Sequence, residues 1–270
     1  MIVFENISFT YAETVTPVFK DLSLTLPEGV VSFIGQNATG KSTLLLLASG
    51  RLLPTRGCVL LNGIDTRSFK NEEERARQAA FIYQNMEFET EEPVENLLTY
   101  VYENGFHENK DLSFVDELIE VFELASCLKK KTAVLSKGEM QRLILAFSLL
   151  YGSKTIMMDE PVFAMENYQK HRTLAYIINH AKKKGISVFY SLHELELSQR
   201  YSDYLLIFYK KGPPRLGPTA ELFKKKIIEE AYEVPLEMLK MRETIYRDGL
   251  IRLEGLGAGQ EQIGSENNKN

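Results

Sequence analysis

Gly35-Gln36-Asn37-Ala38-Thr39-Gly40-Lys41-Ser42 is the stretch whose reading decides the fold of this chain. It has the spacing G-x-x-x-x-G-K-S of a P-loop, the turn that cradles nucleotide phosphates. An apolar run, Val30-Val31-Ser32-Phe33-Ile34, precedes it, and Ser42-Thr43-Leu44-Leu45-Leu46-Leu47-Ala48 follows with helical character. A strand before the loop and a helix after it are the context in which the pattern carries meaning. Glycine lets the backbone turn tightly, so successive N–H groups face phosphate oxygens, and the helix N-terminus adds its positive end. In such a loop Lys41 reaches the β- and γ-phosphates of the nucleotide and the Ser42 hydroxyl binds Mg2+, with Asn37, Ala38, Thr39 and Thr43 completing the cradle. The rival reading, a glycine-rich βα turn that binds nothing, is weakened by that context.

The 270 residues suffice for one large domain or two small ones. With 44% apolar and 26% charged residues, the composition is that of an ordinary globular protein. A net charge of −5 argues against a strongly basic surface, so no nucleic-acid partner is expected. No run approaches the roughly 18–20 apolar residues of a membrane span. The opening Met1-Ile2-Val3-Phe4-Glu5-Asn6 lacks the regions of a signal peptide. Cys58 and Cys127 form no metal-spaced pair and read as small buried hydrophobes in a reducing, cytosolic setting.

Around the loop, strands and helices alternate. Ile7, Phe9 and Tyr11, then Leu22, Leu24 and Leu26, follow the two-residue period of half-buried strands. Gly57-Cys58-Val59-Leu60-Leu61-Asn62-Gly63 is a further short strand. From Glu72 to Lys131 the texture turns mostly helical: Val115, Leu118, Ile119 and Phe122 mark one helix face, and Pro93 opens another helix. Strands return at Lys154-Thr155-Ile156-Met157-Met158, Ile186-Ser187-Val188-Phe189-Tyr190 and Tyr204-Leu205-Leu206-Ile207-Phe208. A helix with Leu174, Ile177, Ile178 and Ala181 on one face ends in three lysines and Gly185. The expected fold is α/β, with a mainly parallel core sheet, an antiparallel β subdomain and a helical insertion over about 85–150. A tail from Glu254 to Asn270 is expected to be disordered.

Two further motifs carry chemistry. Thr155-Ile156-Met157-Met158-Asp159-Glu160-Pro161 is an apolar strand ending in two acids, the pattern of a Walker B motif. There Asp159 holds Mg2+ opposite Ser42, and Glu160 polarises the water that attacks the γ-phosphate. Leu135-Ser136-Lys137-Gly138-Glu139-Met140-Gln141-Arg142 opens an amphipathic helix with a capping box, Ser136 to Glu139. A helix start carrying Ser136 and Gly138 is also an anion site.

That last segment is similar to the signature motif of ATP-binding-cassette (ABC) ATPases, and the order of the other motifs matches the same family. The resemblance covers roughly Met1 to Leu239, with an ATPase domain over 1–240 and an extension over 241–270. It implies that Tyr11 stacks on adenine, that Gln84 contacts Mg2+ and the attacking water, and that His193 contacts the γ-phosphate. It also implies a head-to-tail dimer with a second ATPase subunit, in which Ser136 and Gly138 face the partner's ATP. Integral membrane permease subunits on separate chains would place the chain on the inner face of the membrane. The opening stretch most resembles energy-coupling-factor and cobalt-type importer ATPases, with metal-chelate importers a near second. Two other classes stay open: a soluble ABC ATPase of the DNA-repair type, and an ATP-binding regulator without turnover. His107, His171 and His180 lack motif context and read as surface residues.

The sequence departs from the family pattern at three positions. Ala38 stands where a third glycine is usual, which requires either a negative φ or tolerated strain. Lys137 replaces the first glycine of the signature pair. Glu166 ends the 163–166 segment where aspartate is usual.

Overall fold

A computed structural model of the chain describes residues 1–239 and 241. The chain divides into two compact units, Met1–Phe223 and a second beginning at Lys224. The boundary expected at 240 falls inside the second unit, and the tail from Glu254 lies outside the described residues.

Two sheets build the first unit. One is antiparallel, in the order β2 (Phe19–Leu26), β1 (Ile2–Phe9), β4 (Arg56–Leu61), β5 (Ile64–Asp65). The other runs β10 (Arg215–Pro218), β9 (Tyr204–Ile207), β3 (Val30–Ile34), β8 (Ser187–Ser191), β7 (Thr155–Asp159), β6 (Ala80–Ile82). Its pairings are parallel except that of β10 with β9. The expected mainly parallel core sheet, antiparallel subdomain and helical insertion are all present.

Central strands that are apolar on both faces must be covered on both. The alternation of side chains separates the two cores. Val30, Ile156, Met158, Val188 and Tyr190 face one cluster, shared with the helices α3 (Val94–Glu103), α4 (Ser113–Val121), α5 (Lys137–Leu150) and α6 (Asn167–Lys184). Val31, Phe33, Met157 and Phe189 face the other, shared with the antiparallel sheet and α1 (Lys41–Ala48). Val115, Leu118 and Phe122 are buried as their spacing predicts. The helix α6 ends on Gly185 at φ 66, the left-handed turn glycine permits, after Lys182, Lys183 and Lys184. Further helices among the described residues include α2 (Glu72–Gln78), α7 (Leu195–Tyr201) and α8 (Thr219–Leu222), with α9 (Lys225–Tyr232) in the second unit.

Four expectations need correction. Cys58, expected to be buried like Cys127, is partly exposed, and its thiol donates to Glu5 Oε2 at 3.1 Å. The two-residue period carried the first strand to Tyr11, but β1 ends at Phe9, and a turn closed by Thr14 N–H on the Tyr11 carbonyl (3.0 Å) follows. The region read as helical from Glu72 contains the three-residue strand β6. His107, His171 and His180 are half-buried rather than on the surface: His107 packs on Tyr102 and Phe114, His171 on Tyr201, and His180 stacks on Phe114.

Candidate functional site

The loops after β3, β6, β7 and β8 leave the carboxyl ends of adjacent parallel strands, where α/β sheets place their ligands. After β3 comes the phosphate loop. Gly35 has φ 142, and a Cβ there would lie 2.6 Å from the Phe208 carbonyl oxygen. Gly40 has φ 101, and a Cβ would meet Phe19 Cζ at 2.8 Å. Neither position admits a side chain. Ala38, between them, has φ 59. Strain is therefore the alternative that holds: the loop keeps the left-handed conformation without its glycine.

Lys41 is 6% exposed, and its ammonium donates to the carbonyls of Gly35 (2.9 Å) and Gln36 (2.8 Å). Burial pushes it below the ordinary lysine range, while the Glu160 and Asp159 carboxylates push it up. Both Walker B acids are therefore near enough for their charge to act on the P-loop lysine. Asn37 and Ala38 form the exposed crest of the loop, and Thr39 Oγ1 donates to the Gln36 carbonyl at 2.8 Å. Ser42 is exposed at the start of α1. Tyr11 OH lies 3.0 Å from Thr43 Oγ1, and its ring is edge-on to Phe9 at 4.9 Å.

The other strand ends converge on Glu160. Its Oε2 accepts from Gln84 Nε2 at 2.7 Å, and its Oε1 lies 2.6 Å from His193 Nε2. Glu160 has φ 50, and its N–H donates to Ser191 Oγ (3.0 Å), which fixes the turn that aims its carboxylate. The Ser191 hydroxyl also donates to Asp159 Oδ1. Both Walker B acids are thus held by one serine at the end of β8. Gln141 reaches from α5 to the same turn, accepting from Ala164 N–H (2.9 Å) and donating to the Glu160 carbonyl (3.4 Å). Neither Ser191 nor Gln141 was singled out from the sequence. The signal for Ser191 was its place two residues before His193, at a strand end.

Ser136 and Gly138 lie at the other end of α5's links. The capping box is formed: Ser136 Oγ accepts from Glu139 N–H (3.2 Å), and Glu139 Oε2 accepts from Ser136 N–H (2.8 Å). Burial pushes the Glu139 carboxyl up, but the Lys130 ammonium, the Ser136 donors and the Cys127 thiol outweigh it and hold it at about 2. A Cβ on Gly138 would lie 3.0 Å from the Ala164 carbonyl. These contacts run to the 163–166 segment rather than to the phosphate loop. Ser136 and Lys137 are exposed, so the motif opens outward.

A phosphate cradle with a buried lysine after β3, and two acids at the end of β7, one strand removed in the same parallel sheet, define a P-loop nucleoside triphosphatase. The family model described as ABC transporter matches residues 19–163. YkoD of Bacillus subtilis, provisionally named an HMP/thiamine import ATP-binding protein, is 32% identical over 230 residues, 83% of this chain and 40% of that protein. The chain thus spans less than half the length of this relative. The energy-coupling factor transporter ATP-binding protein EcfA1 of Halalkalibacterium halodurans is 27% identical over 266 residues, 97% of this chain and 95% of its own. A solved ATP-binding subunit of an ABC transporter superposes with a TM-score of 0.72 at 22% identity, covering 90% of this chain and 99% of that one. The chain belongs to the ABC transporter family and is an ABC ATPase.

Proposed function

We propose that this chain is the ATP-hydrolysing subunit of a membrane importer for a small nutrient such as a vitamin, metal ion or metal chelate. The observation that carries the reading is the convergence on Glu160. A carboxylate beside the phosphate loop, with one oxygen on Gln84 and the other on His193, is placed to accept a proton from an attacking water. In this reading Lys41 and the loop from Gly35 through Thr43 bind the phosphates, and Tyr11 carries the adenine. Gln84 and His193 orient the water and the γ-phosphate. The hard oxygen donors Ser42, Asp159 and Gln84 suit Mg2+, which when bound neutralises phosphate charge. The exposed Ser136 and the neighbouring Gly138 amide serve the nucleotide of a second ATPase subunit. The ATPase domain is taken as 1–240, with 241–270 an extension.

Likeness to ATP-binding proteins named for HMP/thiamine import and for iron(3+)-hydroxamate import supports the import direction. No helix among the described residues is long and apolar enough to cross a membrane. In this reading permease subunits on separate chains form the membrane path, with this chain at the inner membrane face. Affinity purification from detergent-solubilised host membranes tests this. A stoichiometric polytopic partner is expected, and recovery solely from the soluble fraction would overturn the transporter reading.

A further inference from the structure

The His193 side chain is 42% exposed, yet its Nε2 lies 2.6 Å from Glu160 Oε1. A ring so open to solvent is not held by packing alone, so its aim depends on the backbone on either side. On the N-terminal side Leu192 is 3% exposed, locked in the core. On the C-terminal side Glu194 stands at the start of α7, and its carboxylate is paired with the Lys170 ammonium. Lys170 lies on α6, is 7% exposed and belongs to none of the motifs above. Its backbone N–H donates to the Glu166 carbonyl (2.9 Å), so it sits in the first turn of α6, directly after the 163–166 segment. A second contact, His171 Nδ1 to Tyr201 OH at 3.0 Å, ties the far end of α7 to the same helix.

Burying an ammonium group is costly, and an ion pair with one partner buried and the other, Glu194, 31% exposed contributes little net stability. Its use at this place has a geometric rationale. The pair anchors the residue next to His193 to a rigid 18-residue helix. We propose that Lys170 and Glu194 are positioning residues, whose ion pair holds the 191–194 turn so that His193 faces Glu160. The proposal rests on the reading of His193 and Glu160 as hydrolytic residues. Neither Lys170 nor Glu194 touches the phosphate loop in this arrangement, so the pair acts on turnover rather than on ATP binding.

The test is steady-state ATP hydrolysis by the full chain in its transporter complex, for wild type, Lys170→Met and Lys170→Arg. Misplacing a reacting group by about 1 Å costs on the order of 100-fold in rate. Lys170→Met is expected to lower kcat by about 10- to 100-fold, with KM for ATP within about twofold. Lys170→Arg, which keeps the charge, is expected to recover at least half of the wild-type kcat. A Lys170→Met kcat within twofold of wild type would overturn the proposal. So would a parallel loss of kcat and ATP affinity that arginine does not repair. Should Lys170→Met not fold, Glu194→Gln carries the same test: reduced kcat at constant KM supports the pair, and unchanged kcat overturns it. A wild-type complex that does not hydrolyse ATP would instead remove the underlying reading of the site, so the two failures are distinct.

Discussion

Replacing Ala38 by glycine should make the protein more stable. At φ 59 the Ala38 backbone is left-handed, where a Cβ crowds the adjacent carbonyl. That conformation costs a non-glycine residue about 1–2 kcal/mol. Glycine also frees the unfolded chain, which takes back about 0.4–1 kcal/mol. Ala38 sits on the exposed crest of the loop, so the substitution removes little packing. The net is a gain of about 0.5–1 kcal/mol, or a rise in Tm of about 1–4 °C for a domain of this size. Thermal and urea unfolding of the nucleotide-free chain measure it. Gly40→Ala is the opposing control: φ 101 and a Cβ 2.8 Å from Phe19 Cζ predict a clear loss. An Ala38→Gly variant with Tm equal to or below wild type would refute the strain argument.

Two predictions concern pH. Glu139 is held at about 2 in the folded chain, so it stabilises the fold above its unfolded value near 4.5 and loses that contribution as pH falls towards 2. Glu139→Gln should cost about 1 kcal/mol at pH 7, because the ion pair with Lys130 is lost while the capping geometry survives, and urea midpoints of the two proteins should converge below pH 4. For His107 and His180, burial is the first cause pushing each imidazole below its ordinary range. The unfolded chain then binds more protons than the folded one as pH drops below about 6.5, so stability falls with acidification through the lower folded-state values. His180→Phe should flatten that decline between pH 7 and 5 in urea unfolding; an unchanged slope would count against the buried histidine.

The parts of the site that lie in one continuous stretch were legible in the sequence. Gly35 to Ser42 needs only its own spacing and a flanking strand and helix, and Asp159 and Glu160 need only an apolar run that ends in acids. The meeting of Gln84, His193 and Glu160 was different. Those residues follow β6, β8 and β7, and only the parallel order of the sheet brings the three loops together. Their grouping came from the motif order of a family, not from any local pattern. Ser191 and Gln141 stayed hidden because a serine in a strand and a glutamine on a helix carry no local mark of bridging two acids or two loops. Periodicity failed where elements were short or irregular. Ala80-Phe81-Ile82 is too brief to show a period, and Tyr11 continued an alternation that the backbone abandons two residues earlier. The half-burial of His107 and His180 depends on aromatic partners from α3, α4 and α6, which no single window contains.

The central claim is that Glu160 drives ATP hydrolysis within an otherwise intact nucleotide site. The most direct measurement pairs phosphate release with binding of a fluorescent ATP analogue, for wild type and Glu160→Gln, in the assembled complex. Removing a general base typically costs about 100- to 10,000-fold in rate. The account predicts a loss of at least about 100-fold in phosphate release with ATP affinity within about twofold of wild type. Glu160→Gln turning over ATP at the wild-type rate would contradict it.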